Sequence, residues 1–330
     1  MPGVVVPVGS PGWAARRLAR KLACGAVPLR AHLEMAGLRG KLSRLSRIPD
    51  AVIANLKSVE PRFTDREIVG IARRYMEYSR TTYLARVLRD VPGFHDTEVW
   101  EIDGLNYVRE SLQKKKGAIL VTAHLGYPRL IAPILRLHGI EADQVVSGRA
   151  DRIDRIRERN ERVAKSGSLT RALFRRLEGG LERPYDIVAG LDARPIFSAL
   201  SQNHAITIPG EGMRATEFAE LTLFGRPFPI PTGFMKIAMI TGTPVLPVFA
   251  LNGGGGRSIY LRIDPPLKIE HGQTVEQNLQ TWTQALNEQL GRTPHLWTRW
   301  TIPDLFARAL AWSKGDLSDR YSAHWYESDF

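Results

Sequence analysis

The 330-residue chain has one cysteine, Cys24. A lone cysteine excludes an internal disulfide and a cysteine-based metal cluster, and it fits a reducing compartment. Long apolar runs are missing too. No stretch approaches the roughly 18 to 20 uninterrupted apolar residues that a membrane-spanning helix needs. The opening "MPGVVVPVGSPGWAA" lacks an early positive charge, and its basic residues follow the apolar run, so it does not read as a secretory signal. Three common catalytic signatures are absent: the G-x-S-x-G elbow, the G-x-x-x-x-G-K-[ST] loop and H-E-x-x-H. The histidines show no metal-ligand spacing, so no metal site is expected. "GEGMRA", Gly210 to Ala215, lacks the spacing of a nucleotide loop. No nucleic-acid-binding module is visible, and nucleic acid is not expected as a partner.

What is present is the balance of a folded globular chain, with 43% hydrophobic and 24% charged residues. The length suffices for one large α/β domain or two smaller ones. The net charge of +12 is concentrated in residues 1–48, where Glu34 is the sole acid, and in residues 149–183. Such asymmetry favours an anionic partner, such as a membrane surface, nucleic acid or an acidic carrier protein, over an evenly solvated surface. From Trp13 onward, Ala14, Leu18 and Leu22 share one helical face, while Arg16, Arg17, Arg20 and Lys21 lie largely on the other. A short basic amphipathic helix of this kind can lie in the headgroup layer or pack on the domain.

The patterning divides the chain into a basic, mainly helical part (1–95), an α/β core (96–310) and a C-terminal tail (311–330). "TDREIVGIARRYMEYS" opens with Thr64 as an N-cap and repeats Ile68, Ile71, Ala72, Tyr75 and Met76 at helical spacing. A strand is expected over Val99 to Ile102, a helix before Gly117, a buried strand over Ala118 to Val121 and a helix over Leu130 to Leu137. Residues 149–183 read as two charged helices joined by "SGSL", and "YDIVAGLDA" as a strand ending at Asp192. The stretch from Ser198 to Gly233, rich in Pro and Gly, reads as a loop with short strands. "FMKIAMITG" is a helix capped by Gly242, and two strands flank "NGGGG" before a closing helix. Strands alternating with helices imply a mixed central sheet flanked by helices.

His124, in "GAILVTAHLGYPRL", falls where a strand ends and a helix begins, a common place for chemistry in α/β proteins. A histidine there is also often structural. Around it, "IVAGLDA" and "LTLFGRPFPIPTGFMKIAMITGTPVLPVF" follow in an order that resembles the lysophospholipid-acyltransferase-like proteins. The similarity is to the lipid A biosynthesis (lauroyl/myristoyl) acyltransferase type and its phosphatidylinositol mannoside acyltransferase relatives. It runs from about Asn55 to about Trp300, and its last block is the most specific.

The resemblance implies a glycerol-3-phosphate-acyltransferase-like fold and acyl transfer from an acyl carrier protein or coenzyme A thioester to a hydroxyl, with no cofactor. It implies a cytoplasmic, peripheral enzyme on the inner face of the cell membrane, acting on a lipid A-like or glycolipid acceptor. His124 would be the general base, since imidazole titrates near neutrality. Backbone N–H groups at the start of the following helix would steady the oxyanion.

One position departs from the pattern. The resemblance calls for an acid five residues after the histidine, where this chain has Arg129, which cannot accept a hydrogen bond. Three readings stay open. Another carboxylate reaches His124, either Asp192 at a strand end or Glu211 on a Gly-rich loop. Alternatively Arg129 binds an anionic substrate group, or the site has lost acyl transfer. Arg194, Arg226 and Thr232 are the remaining substrate-binding candidates, the two arginines because guanidinium forks match phosphate oxygens. "HLWTRW" reads as core and interface packing. A soluble acceptor, or a non-catalytic lipid- or carrier-binding role, remains as an alternative.

Overall fold

The structure is a computed structural model, and it describes residues 29–43, 45–59, 62–79, 100–147, 186–189, 193–213, 215–252 and 258–315. The expected amphipathic helix from Trp13, the charged helices of 149–183, Asp192 and most of the C-terminal tail lie outside the described residues.

Three helices form the N-terminal part: α1 (Leu29–Ser43), α2 (Asp50–Lys57) and α3 (Asp65–Ser79). α3 buries Ile68, Ile71, Ala72, Tyr75 and Met76, the apolar positions whose spacing marks it as a helix. Its start is locked by reciprocal bonds, with the Glu67 side chain accepting from Thr64 N and Thr64 Oγ1 accepting from Glu67 N. That capping box satisfies two N–H groups a helix end would otherwise leave open.

The core follows as β1 (Trp100–Asp103), α4 (Leu105–Gln113), β2 (Ala118–Thr122), α5 (Ile131–Leu137), β3 (Ala142–Ser147), β4 (Asp186–Ala189), α6 (Arg194–Ser201) and β5 (Ala205–Pro209). A hairpin of β6 (Phe218–Leu223) and β7 (Arg226–Pro231) precedes α7 (Gly233–Thr241), β8 (Val245–Asn252), β9 (Ile259–Ile263) and α8 (Val275–Arg292). One seven-stranded sheet runs in the order β1-β9-β8-β2-β5-β3-β4. Only the β8–β9 pair is antiparallel, so the sheet is mixed, as the alternation implies. β2 lies between β8 and β5, and all five of its residues are buried. A strand with neighbours on both sides and helices over it has no solvated face, which explains why "AILVT" does not alternate.

Two elements differ from the sequence expectation. β3, "ADQVVS", was hidden by Asp143 and Gln144, which interrupt its apolar character although both are buried. The stretch from Ser198, expected as a loop with short strands, opens on the last turn of α6 and holds β5, an inner strand of the sheet, and the β6–β7 hairpin. The last described helix, α9 (Leu305–Ser313), crosses residue 311 and buries Ala309 and Trp312, so structure continues past the expected start of the tail.

A closing segment, 294–301, runs from α8 back over the carboxyl end of β2. It forms an isolated bridge between Leu125 and Trp297, and Thr298 N donates to His124 O at 3.0 Å. α2 holds the segment from outside: Asn55 Nδ2 donates to Trp300 O at 2.8 Å and to Ile302 O at 2.6 Å. Behind it Trp297 and Trp300 meet edge to face with ring centres 4.9 Å apart, in the packing role read for "HLWTRW".

Candidate active site

His124 stands two residues beyond Thr122, the last residue of β2. Glu211 stands two residues beyond Pro209, the last residue of β5. The two strands are adjacent and parallel, and Thr122 pairs with Pro209. Equal offsets from a shared register therefore bring the two side chains to one point. His124 Nδ1 lies 2.7 Å from Glu211 Oε2, and the His124 backbone N–H donates to Glu211 Oε1 at 2.8 Å.

The turn bearing Glu211 is built to close tolerance. Gly210 N donates to Thr122 O at 2.7 Å, and Trp282 Nε1 of α8 donates to Gly210 O at 3.1 Å. A Cβ on Gly210 would sit 2.5 Å from Val121 Cγ2 and 2.7 Å from that indole nitrogen, so no larger residue fits without displacing α8. Glu211 is fully buried. Burial alone would push its carboxyl up, but the His124 ring, Arg299 and the backbone N–H of His124 outweigh that and lower it to about 2. Trp297 Nε1 adds a donor to Glu211 Oε1 at 3.3 Å.

Arg299, a residue that sequence reasoning passed over inside "HLWTRW", completes the cluster. Its side chain is buried, with Nε 3.8 Å from Glu211 Oε1 and Nη2 2.8 Å from His124 Nδ1. A charged residue between two tryptophans was the available signal, because an arginine is rarely buried without an anionic partner.

The His124 side chain remains 28% exposed, and no hydrogen bond to its Nε2 is found among the described residues. If Nδ1 carries the ring proton it donates to Glu211, and Nε2 is left with its lone pair. That is the arrangement of a general base with a carboxylate fixing its tautomer.

Of the two carboxylates the sequence left open, Glu211 is the one found beside His124, while Asp192 lies outside the described residues; Arg129 sits on a short 3-10 turn, Pro128–Leu130. One expectation changes. The N–H groups expected to steady an oxyanion are largely committed: Gly126 N donates to Leu296 O, Tyr127 N to Ala250 O and Leu130 N to Tyr127 O, while Pro128 has no N–H.

The other candidates lie apart from this cluster. Arg194 is exposed at the first turn of α6. Arg226 Nη1 donates to Ser58 O at 2.8 Å and its guanidinium lies 5.6 Å from the Phe306 ring centre, which ties the hairpin to α2 and α9. Thr232 is buried at the start of α7, its N–H donating to Glu217 O at 3.2 Å. An open cleft of about 500 Å³ beside β9 and the end of α8, lined by both polar and apolar residues including Asp103, Tyr260, Arg262, Ile263 and Arg292, shares no residue with the His124 cluster. A second histidine–carboxylate pair, His204 Nδ1 and Asp143 Oδ2 at 2.8 Å, lies where β5 and β3 begin, the opposite end of the strands from His124. Among the described residues no group of three or more His, Cys, Asp or Glu is arranged to hold a metal ion.

No family model matches the chain, and a search of curated proteins finds no significant match.

Proposed function

We propose that the protein is an acyltransferase, moving a fatty acyl group from an acyl carrier protein or coenzyme A thioester to a hydroxyl of a lipid A-like or glycolipid acceptor. The observation that carries the reading is the His124–Glu211 pair at the carboxyl end of the central strand, on a histidine side chain that is 28% exposed. Nε2 of His124 takes the proton of the acceptor hydroxyl as that oxygen attacks the thioester carbonyl. The tetrahedral adduct then collapses, the C–S bond breaks, and the imidazolium returns its proton to the departing sulfur. The products are an ester and a free carrier thiol. Glu211 holds the ring in position and offsets the positive charge it gains. The order of the sequence blocks, and their resemblance to lysophospholipid-acyltransferase-like proteins of the lipid A biosynthesis type, supply the acyl-transfer class.

A peripheral place on an anionic membrane, at its cytoplasmic face, belongs to the same reading. Met35, Leu38 and Leu42 recur at helical spacing on α1, Leu45 follows on the next turn, and all four are between 51% and 85% exposed. Arg39, Lys41 and Arg47 flank them. Apolar side chains rimmed by basic ones suit the boundary between acyl chains and anionic headgroups. Among the described residues no helix is long and apolar enough to cross a membrane.

The test is consumption of acyl carrier protein and coenzyme A thioesters by the wild type and by His124→Ala, with lipid and soluble hydroxyl acceptors compared. Turnover lost in the variant supports the base. Ester formed only on soluble acceptors would replace the lipid by a soluble metabolite. A folded wild type that consumes neither thioester would leave a binding role in place of an enzyme.

A further inference from the structure

The contact between Arg299 and His124 raises a question of proton count. Glu211 Oε2 and Arg299 Nη2 approach the same ring nitrogen, Nδ1, at 2.7 and 2.8 Å. A guanidinium only donates, and an ionised carboxylate only accepts. One nitrogen cannot serve both: with a proton Nδ1 donates to Glu211 and faces the guanidinium as a second donor, and bare it accepts from Arg299 and faces the carboxylate as a second acceptor.

Burial decides between these states. Glu211 already accepts from His124 N and from Trp297 Nε1, with Arg299 Nε 3.8 Å away. Those three partners stabilise the anion at Oε1, while among the described residues Oε2 has Nδ1 as its sole hydrogen-bond partner; a buried anionic oxygen without a donor is the costlier state, so Nδ1 holds the proton. Carboxylate and guanidinium then cancel, and the ring between them is neutral with Nε2 bare.

Without Arg299 the cluster would hold one uncompensated negative charge in a site closed to water on the Glu211 side. A buried charge in that position is costly, and a proton is the cheapest remedy. The proton has two places to go. On the ring it gives imidazolium, with Nε2–H. On Glu211 it donates to Nδ1, and the neutral ring must then carry its own proton on Nε2. Both states cap the nitrogen a base needs.

We infer that Arg299 is a positioning residue that stands in for this proton, keeping Nε2 of His124 unprotonated beside a buried carboxylate. The inference rests on the reading of His124 as a base. Other titratable groups lie on the neighbouring elements. From α3, the Tyr78 hydroxyl donates to Gly126 O. His295, on the closing segment, is held low by burial and by Arg74, to about 4. Arg129 stands on the partly exposed turn that follows His124.

Nitrogen-15 NMR of the histidine rings, with the His124 signals identified by their loss in His124→Gln, tests this without any turnover. At pH ~7 the wild-type ring should carry its proton on Nδ1 alone. In Arg299→Gln, which keeps polar contacts but no charge, Nε2 should stay protonated to a pH about one unit higher or more. Arg299→Lys should return it toward the wild type. The acid limb of thioester turnover should move with the NMR transition, so that Arg299→Gln loses about tenfold near pH 7 and recovers near pH 9.

A wild-type ring protonated on Nε2 at pH ~7 overturns the inference, and so does an Arg299→Gln transition that does not move. Should Arg299→Gln not fold, the wild-type tautomer and Arg299→Lys still decide it. Absence of turnover in a wild type whose NMR behaves as expected would overturn the acyltransferase reading and leave this one standing.

Discussion

His124 and Glu211, 87 residues apart in the chain, meet because each lies two residues past the paired ends of neighbouring parallel strands. The pair is thus held by the sheet rather than by a flexible loop. Replacing His124 by Ala should lower thioester turnover by about 10²–10⁴-fold, the usual contribution of a general base. Losing the ring also takes from buried Glu211 Oε2 its partner 2.7 Å away, so the variant should be about 1–3 kcal/mol less stable, and turnover is compared below its unfolding transition.

Glu211→Gln separates charge from shape. The amide can still accept from the His124 N–H, yet it no longer fixes the tautomer or offsets imidazolium. Turnover should fall on the order of 10²–10⁴-fold.

The same carboxylate gives stability a pH dependence. Its pKa in the folded chain is lowered from 4.5 to about 2, so the unfolded chain binds the proton first as pH falls. The stabilisation is full above about 4.5 and is lost as pH falls through about 2. Urea midpoints measured from pH ~6 down to pH ~2 should drop more steeply for the wild type than for Glu211→Gln. Parallel curves would mean that Glu211 is not ionised in the folded protein.

Gly126, two residues after His124, has φ +66, and a Cβ there would lie 2.1 Å from Ala250 O. Gly126→Ala must both strain the left-handed backbone and push β8 away. A loss of about 1–3 kcal/mol is expected in urea unfolding, with turnover falling as His124 shifts.

Leu38→Glu with Leu42→Glu should weaken sedimentation with vesicles containing anionic lipid and leave thioester consumption with a soluble acceptor unchanged. Binding of the wild type should weaken with added salt, as the flanking basic residues require. Equal sedimentation of variant and wild type would remove α1 from the membrane reading.

Much of this protein is local, and local patterns are visible along the chain. The 3.6-residue recurrence of Ile68, Ile71, Ala72, Tyr75 and Met76 shows α3, and the unbroken "AILVT" marks a strand buried on both faces. Gly242, at φ 67, ends α7 where the sequence places its cap. The position of His124 at a strand end follows from the same patterning. The identity of its partners does not. Glu211 was one of two carboxylates in contention, and Arg299, 175 residues from His124, was read as part of an aromatic packing segment. No periodicity states that β5 lies beside β2, or that the segment after α8 folds back over both. Strand order and the return of that segment are set by which surfaces bury best against each other. The place of the histidine is therefore legible in the chain, while the charged partners around it are decided only when distant segments pack together.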